Sequence, residues 1–315
     1  MQKITLLEVS KLLLKNDNFH ILTHRYPDGD TLGCAYALCF ALRALGKKAN
    51  VKISGKLPSK FSYLAKNYVE QDFSCDYVVS VDVAAMSLLG ELEDEYKDRI
   101  NLCLDHHGSN TMVADNIFVD ASCAAACEII YVLVKELGVK ITKDIANALY
   151  TGISTDTGCF CYSNTTAQTH RIAADIMKNE CDFAMINRIN FETKSRAKLK
   201  MERMVYDTME FYCSGKCAII YTTLAMQNAL NAGDDEMEGL ASIPRQIEGV
   251  KMGITMREKE DGTYKVSVRT NDGIDACAFC KRFGGGGHVA ASGCSIKGDM
   301  QTVKYLLIKA AEEVL

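Results

Sequence analysis

Tryptophan is absent from the 315 residues and proline occurs only three times, which removes collagen-like and proline-rich disordered chains from consideration. A surplus of positive charge is also lacking, since 36 Lys and Arg stand against 40 Asp and Glu for a net charge of -4. Coating long nucleic acid requires a basic surface to neutralise phosphates, so any nucleic-acid ligand is expected to be short or a single nucleotide. No apolar run reaches the ~18 residues of a membrane-spanning helix, and no membrane partner is expected. The opening MQKITLLEVSKLLLKND interrupts its leucines with Lys11 and Lys15 and lacks the small-residue cleavage site of a secretory signal. A cytoplasmic location is the expectation. No Walker A, GxGxxG or GxSxG motif occurs.

The composition that remains, 48% hydrophobic and 24% charged, is that of a folded protein, and at roughly 100–200 residues per domain the length predicts two domains. The 14 cysteines are scattered through apolar runs such as ASCAAACEII, where cysteine acts as a small hydrophobe in a reducing compartment. Through the first half, apolar runs (FHILTH, ANVKIS, DYVVSVDV, INLCLD) alternate with helix-like stretches, one of them from Thr31 to Leu45. That alternation predicts an α/β domain with a parallel sheet, whose ligands collect at the carboxyl ends of the strands. His24, Asp28, Asp30, Asp82, Asp105 and His106 all lie at or just after the ends of these runs. Helical patterns follow from Ser122 to about Leu137, from Lys143 through Tyr150, and with breaks to about Cys213. The remainder reads as a smaller mixed α/β domain, with an Asp261-Gly262 hairpin signal and a final helix from Asp299. The predicted division is a metal-binding domain over 1–190, a linker helix over 191–213 and a nucleotide-binding domain over 214–315.

Three motifs carry chemistry. THRYPDGDTLG places His24, Asp28 and Asp30 within seven residues around a turn at Pro27 and Gly29; a loop can aim all three at one metal, although Asp30 could equally cap the helix that follows. Asp105-His106-His107 closes an apolar strand, and three adjacent titratable groups there need partners or water. Asp156, in TGISTDTGCF, and Asp82, after YVVSV, say little alone. Jointly they say more, because three of the six histidines fall inside acidic motifs. Two nitrogen donors and at least four carboxylates suit two hard or borderline divalent ions, manganese or magnesium, with cobalt a further option.

HRYPDGD, the strand-end VDV, DHH and GISTDTG, followed by GGGGH at Gly284 to His288, resemble the DHH phosphoesterase superfamily with its DHH-associated C-terminal domain. The short two-domain arrangement is similar to the oligoribonuclease (nanoRNase) and pAp phosphatase subgroup. The resemblance implies one ion held by His24, Asp28, Asp82 and Asp156 and a second by Asp30, Asp82, His106 and Asp156. It implies Asp105 behind the ligands, with a hydrogen bond that would orient the His106 ring, and His107 beside the substrate phosphate. Arg269, Gly284, Gly285, Gly286, Gly287 and His288 would grip the nucleotide, with the active site in the cleft between the domains. The implied activity is manganese-dependent hydrolysis of short RNA to mononucleotides and of pAp to AMP by a water that two metals activate. Cyclic or linear dinucleotides such as c-di-AMP and pApA are alternative substrates, a nucleotide sensor without turnover is the alternative outside enzymology, and a homodimer is expected. Cys277, Cys280, His288 and Cys294 could be assembled into a zinc site, but CAFC fits a helix packed by small residues. His20 and His170 are expected to be structural or on the surface.

Overall fold

In the first half the apolar runs become short, largely buried strands. The computed structural model describes residues 2–237, 239–271 and 273–315 and falls into two units, Met1–Thr193 and Lys194–Leu315. In the first, β1 (Gln2–Lys3), β2 (Phe19–Leu22), β3 (Ala49–Lys52), β4 (Tyr77–Val81), β5 (Leu102–Asp105) and β6 (Asn116–Val119) form one sheet. Its order is β1-β6-β5-β4-β2-β3, and all of its pairings are parallel. The chain leaves β2 for β3 on one side and crosses back to β4 on the other, so the strand order reverses between β2 and β4. A crevice opens at the carboxyl ends of neighbouring strands at such a reversal, and His24 and Asp82 follow those two strands.

The helix Gly29–Ala44 is buried on nearly every side, which explains why its apolar run shows no amphipathic stripe. It packs on the helix Lys143–Asp156 through glycines. A Cβ on Gly33 would stand 2.4 Å from the Ala148 carbonyl oxygen, and one on Gly152 would stand 2.3 Å from Cys127 Sγ and 2.6 Å from Asp30 Oδ1. The two backbones therefore meet closely beneath the motif carboxylates.

In the second unit, β7 (Glu210–Tyr212), β8 (Cys217–Thr222), β9 (Met252–Glu258), β10 (Thr263–Thr270), β11 (Gly286–His288) and β12 (Ala291–Lys297) run in the order β11-β12-β10-β9-β8-β7. Only β8 and β9 pair in parallel; the other pairs are antiparallel. The Asp261-Gly262 turn joins β9 to β10 as its sequence predicts, with Gly262 at φ +74. Met252, Ile254, Met256, Val266 and Val268 form a core with Val303 and Leu307 of the helix Met300–Glu312. The segment expected to link the domains holds a helix, Arg196–Tyr206, whose Met201 and Val205 are buried with Ile220 and Leu240. That apolar face makes the helix a packed part of the second unit. Among the described residues no helix is long and apolar enough to cross a membrane.

Gly152→Ala forces its new methyl against Cys127 and Asp30. The expected result is destabilisation by about 1–3 kcal/mol in urea denaturation, together with weaker divalent-ion binding; unchanged stability would contradict the close helix contact.

Candidate metal centre

Asp28 caps the helix Gly29–Ala44, its Oδ1 accepting from the amides of Asp30 (3.0 Å) and Thr31 (3.1 Å). Asp30 occupies the first turn and is buried. Its carboxylate accepts from the amides of Ala126 (2.6 Å) and Cys127 (2.9 Å), the first two residues of the helix Ala126–Glu136, whose free N–H groups and dipole favour an anion. Asp82 leaves β4 with φ +56, a sparsely populated conformation for a residue with a side chain, of the kind that clusters at functional sites. Asp156 is the last residue of its helix, where the dipole disfavours a carboxylate.

These elements bring all six expected ligands together. Asp82 stands in the middle, with Oδ2 3.9 Å from His24 Nε2 and Oδ1 3.6 Å from His106 Nε2. On one side His24 Nε2 lies 3.6 Å from Asp28 Oδ2. On the other, His106 Nε2 lies 3.3 Å from Asp156 Oδ2 and 3.9 Å from Asp30 Oδ2. Potential ligand atoms of His24, Asp28 and Asp82 lie within 4.8 Å of one another, as do those of Asp30, His106 and Asp156. Among the described residues the groupings of this kind do not join Asp156 to His24 and Asp28; Asp82 alone spans the two sides.

Asp105 differs from expectation. Its Oδ1 pairs with His107 Nδ1 at 2.8 Å and accepts from the His106 amide, while the His106 ring is held through Nδ1 by the Cys123 carbonyl oxygen at 3.1 Å. Asp105 ends β5 and the chain turns there, so its carboxylate faces the second imidazole rather than the first. A carbonyl can only accept, so His106 Nδ1 carries a proton and the ring is turned with Nε2 towards the carboxylates.

The electrostatics follow from crowding. Burial pushes the carboxyls of Asp82 and Asp156 far above the ordinary range, and neighbouring aspartates add to it. Asp30 is raised by burial, with His106 opposing. Asp105 goes the other way: burial would raise it, but hydrogen bonds from His107 and Asn110 hold it low, and the same Asp105 bond lifts His107. Two buried polar atoms that could ligate an ion, Asp82 Oδ1 and His106 Nε2, have no hydrogen-bond partner. Unpartnered oxygen and imidazole nitrogen atoms among repelling carboxylates fit divalent cations. Sequence reasoning missed the Cys123 carbonyl, the Ala126 and Cys127 amides and Asn110. The small-residue run before the helix at Ala126 could have signalled the first two; Asn110 had no signal.

In the second unit, register pairs Arg269 with Ala291 and Ala291 with His288. Directly opposed residues share a face, so Arg269 and His288 lie on one row of the sheet. The glycines are shaped by close approach to β12. A Cβ on Gly285 would stand 2.1 Å from the Gly293 carbonyl, and one on Gly287, at φ +143, 2.8 Å from that of Ala291; Gly284 and Gly286 face open space. Cys280 and Cys294 are buried in the core, on the face of the sheet opposite His288, while Cys277 is free and half-buried. Alternation along β12 thus separates His288 from those two thiols. His20 pairs with the Tyr96 hydroxyl at 2.8 Å, and His170 stacks on Phe160.

The N-terminal domain of the DHH family matches residues 18–153 and the DHHA1 domain matches 218–315. The bifunctional oligoribonuclease and PAP phosphatase NrnA of Thermus thermophilus is 31% identical across 94% of this chain and 90% of its own length. The chain belongs to the DHH family. A probable bifunctional oligoribonuclease and PAP phosphatase NrnA of Streptococcus mutans is 28% identical across 89% of each chain. An exopolyphosphatase-related protein from Bacteroides fragilis shares the fold with a TM-score of 0.90 at 23% identity, across 98% of this chain and 95% of its own. The DHH match contains every expected ligand except Asp156, which joins the group by geometry.

Asp82→Asn in this DHH chain removes the most crowded charge. The metal-free variant should melt at a higher temperature than the parent, because like charges no longer repel, while calorimetry should show Mn2+ affinity reduced at least about tenfold. A lower melting temperature with unaltered ion binding would show that the cluster is not a metal centre.

Proposed function

We propose that this DHH chain is a metal-dependent phosphoesterase that hydrolyses short oligoribonucleotides to mononucleotides and removes the 3′-phosphate of pAp. The reading rests on Asp82, which offers one oxygen to each of two donor groups, and it agrees with the activity named for the Thermus thermophilus relative. His24, Asp28 and Asp82 would hold one divalent ion, and Asp30, Asp82, His106 and Asp156 the other, with Mn2+ the preferred metal for a set mixing imidazole with carboxylate. When bound, two such ions supply Lewis acidity that acidifies water and offsets charge on phosphoryl oxygens.

The protein's own groups orient and compensate. The Cys123 carbonyl fixes the His106 tautomer, and the helix N-terminus at Ala126 holds Asp30 in one rotamer. The Asp105 bond raises the pKa of His107, which favours a ring that donates to a phosphoryl oxygen. Arg269 and His288, on one row of the second sheet, would take a terminal phosphate or base, with the glycine run leaving backbone accessible beside them. Gripping one end of the substrate favours chains of a few nucleotides over long polymers. We place the protein in the cytoplasm, as a homodimer.

Stripping divalent ions should abolish release of mononucleotides from a 5′-phosphorylated RNA trimer and of inorganic phosphate from pAp, and Mn2+ should restore both. Asp156→Ala should lower kcat by about a hundredfold or more, whereas Arg269→Ala should act mainly on KM. Cleavage of c-di-AMP alone would redirect the assignment to dinucleotide turnover. Equal rates on the trimer and a long strand would remove the gripping role, and nucleotide binding without any turnover would make the chain a sensor.

A further inference from the structure

The outward face of the second sheet carries no carboxylate along β9, β10 and β12. Alternation sends Val266 and Val268 into the core and Lys265, Ser267 and Arg269 to the other side. Register sets Arg257 and Ser295 on either side of Lys265 and puts Arg269 in one row with His288. Between these rows, β10 and β12 present only Ser267 and Gly293. Lys297, opposite Thr263, adds a further cation. This concentration of positive charge belongs to a chain whose net charge is -4. Lys265 and Arg269 stand four positions apart on β10, about 13 Å along an extended strand.

Two cavities adjoin here, both lined by Lys265 and Ser295. The first, of about 360 Å³, leads from them to Gly284 and Gly293, and the second, of about 650 Å³, leads to Arg257 and Lys259. Gln227 accepts from Arg257 Nε at 3.1 Å and orients its guanidinium. Lys265 is exposed, and among the described residues it forms no ion pair, unlike Lys194 and Lys304. Proteins follow the backbone of a single strand with a positively charged groove of this kind. The carboxylates lie beyond it. Glu260 and Asp261 are exposed at the hairpin turn and line the larger cavity, where Glu258 is engaged by the Leu224 amide at 2.8 Å. Charge at the turn opposes a phosphate that comes within a Debye length, about 8–10 Å.

We propose that Arg257, Lys265 and Ser295 form a second phosphate subsite for an oligonucleotide gripped at Arg269 and His288, and that Glu260 and Asp261 end it, so that this face selects substrates by length. The inference rests on the oligoribonuclease reading and deepens it. A single nucleoside bisphosphate is too short to reach from one row to the other. A chain of a few nucleotides spans both, and a longer one runs its next phosphate against the carboxylates of the turn.

The test is steady-state kinetics of the Mn2+-loaded protein on a 5′-phosphorylated RNA trimer, the corresponding pentamer and pAp, across a series of salt concentrations. Lys265→Ala should raise KM for the trimer about fivefold or more, acting on KM rather than kcat, and should leave pAp within about twofold. It should also flatten the dependence of log KM on log salt by about 0.7, the share of one phosphate contact to a single strand. Lys265→Arg keeps the charge and should retain the parental KM and salt dependence. Glu260→Lys should improve the pentamer relative to the trimer by about threefold or more. A parent that cuts neither RNA would overturn the subsite together with the oligoribonuclease reading. Trimer hydrolysis by the parent, with KM and salt dependence unmoved in Lys265→Ala or with equal losses on trimer and pAp, would overturn the subsite alone. An unchanged pentamer-to-trimer ratio in Glu260→Lys would overturn the length limit.

Discussion

Carboxylates that repel one another govern the first unit. Asp28, Asp30, Asp82 and Asp156 converge on two imidazoles, and in the absence of cations their separation would lower the energy. The fold prevents it. Asp30 is tied to the amides of a helix N-terminus, Asp28 is tied to the start of its own helix, and Asp82 sits in a left-handed backbone conformation between two strands. Glycines at 33 and 152 let two helices approach until side chains from both reach the same point. The helix-terminus bonds stabilise the two aspartates that they hold, whereas the left-handed residue and the glycines cost stability. Together they hold a cluster whose negative charge is useful only when positive charge arrives.

Much of this was legible in the sequence because parallel sheets place function at strand ends. The runs ending at His24, Asp82 and Asp105 are strands or lead directly out of them, and the long run after Asp28 is the central helix. The strands Gln2–Lys3 and Asn116–Val119 escaped because one has two residues and the other only three consecutive apolar residues, too short a run to stand out without its pairing partners. The partners of the ligands escaped for a different reason. A carbonyl at Cys123 and amides at Ala126 and Cys127 are backbone groups, and side-chain identity does not announce where backbone dipoles will point.

The second unit shows how strand alternation sorts one stretch of sequence into two environments. Along β12, Ser292, Cys294 and Ile296 are buried while Ala291, Gly293 and Ser295 face the other way. The neighbouring rows continue the pattern, so Arg269 shares a face with His288 whereas Cys280 and Cys294 share the core with Val266. A zinc site assembled from these cysteines and His288 would have to cross the sheet. Spacing along the chain permits such a site; the two-residue period of a strand forbids it.

The two histidines of the DHH run receive different partners, and the difference divides their work. A carboxylate behind an imidazole favours the doubly protonated ring, whereas a carbonyl fixes a tautomer without adding charge. His106 has the carbonyl, which takes the Nδ1 proton and turns Nε2 towards the aspartates, the atom a metal would take. His107 has Asp105, itself kept ionised by Asn110 and the ring, and is pushed towards the cation. Exchanging the partners would put the pull of a buried carboxylate on the ring among the ligand positions. Adjacent identical residues thus acquire different partners, because the strand ends at Asp105 and the turn that follows aims the carboxylate at one ring and leaves the other to the backbone.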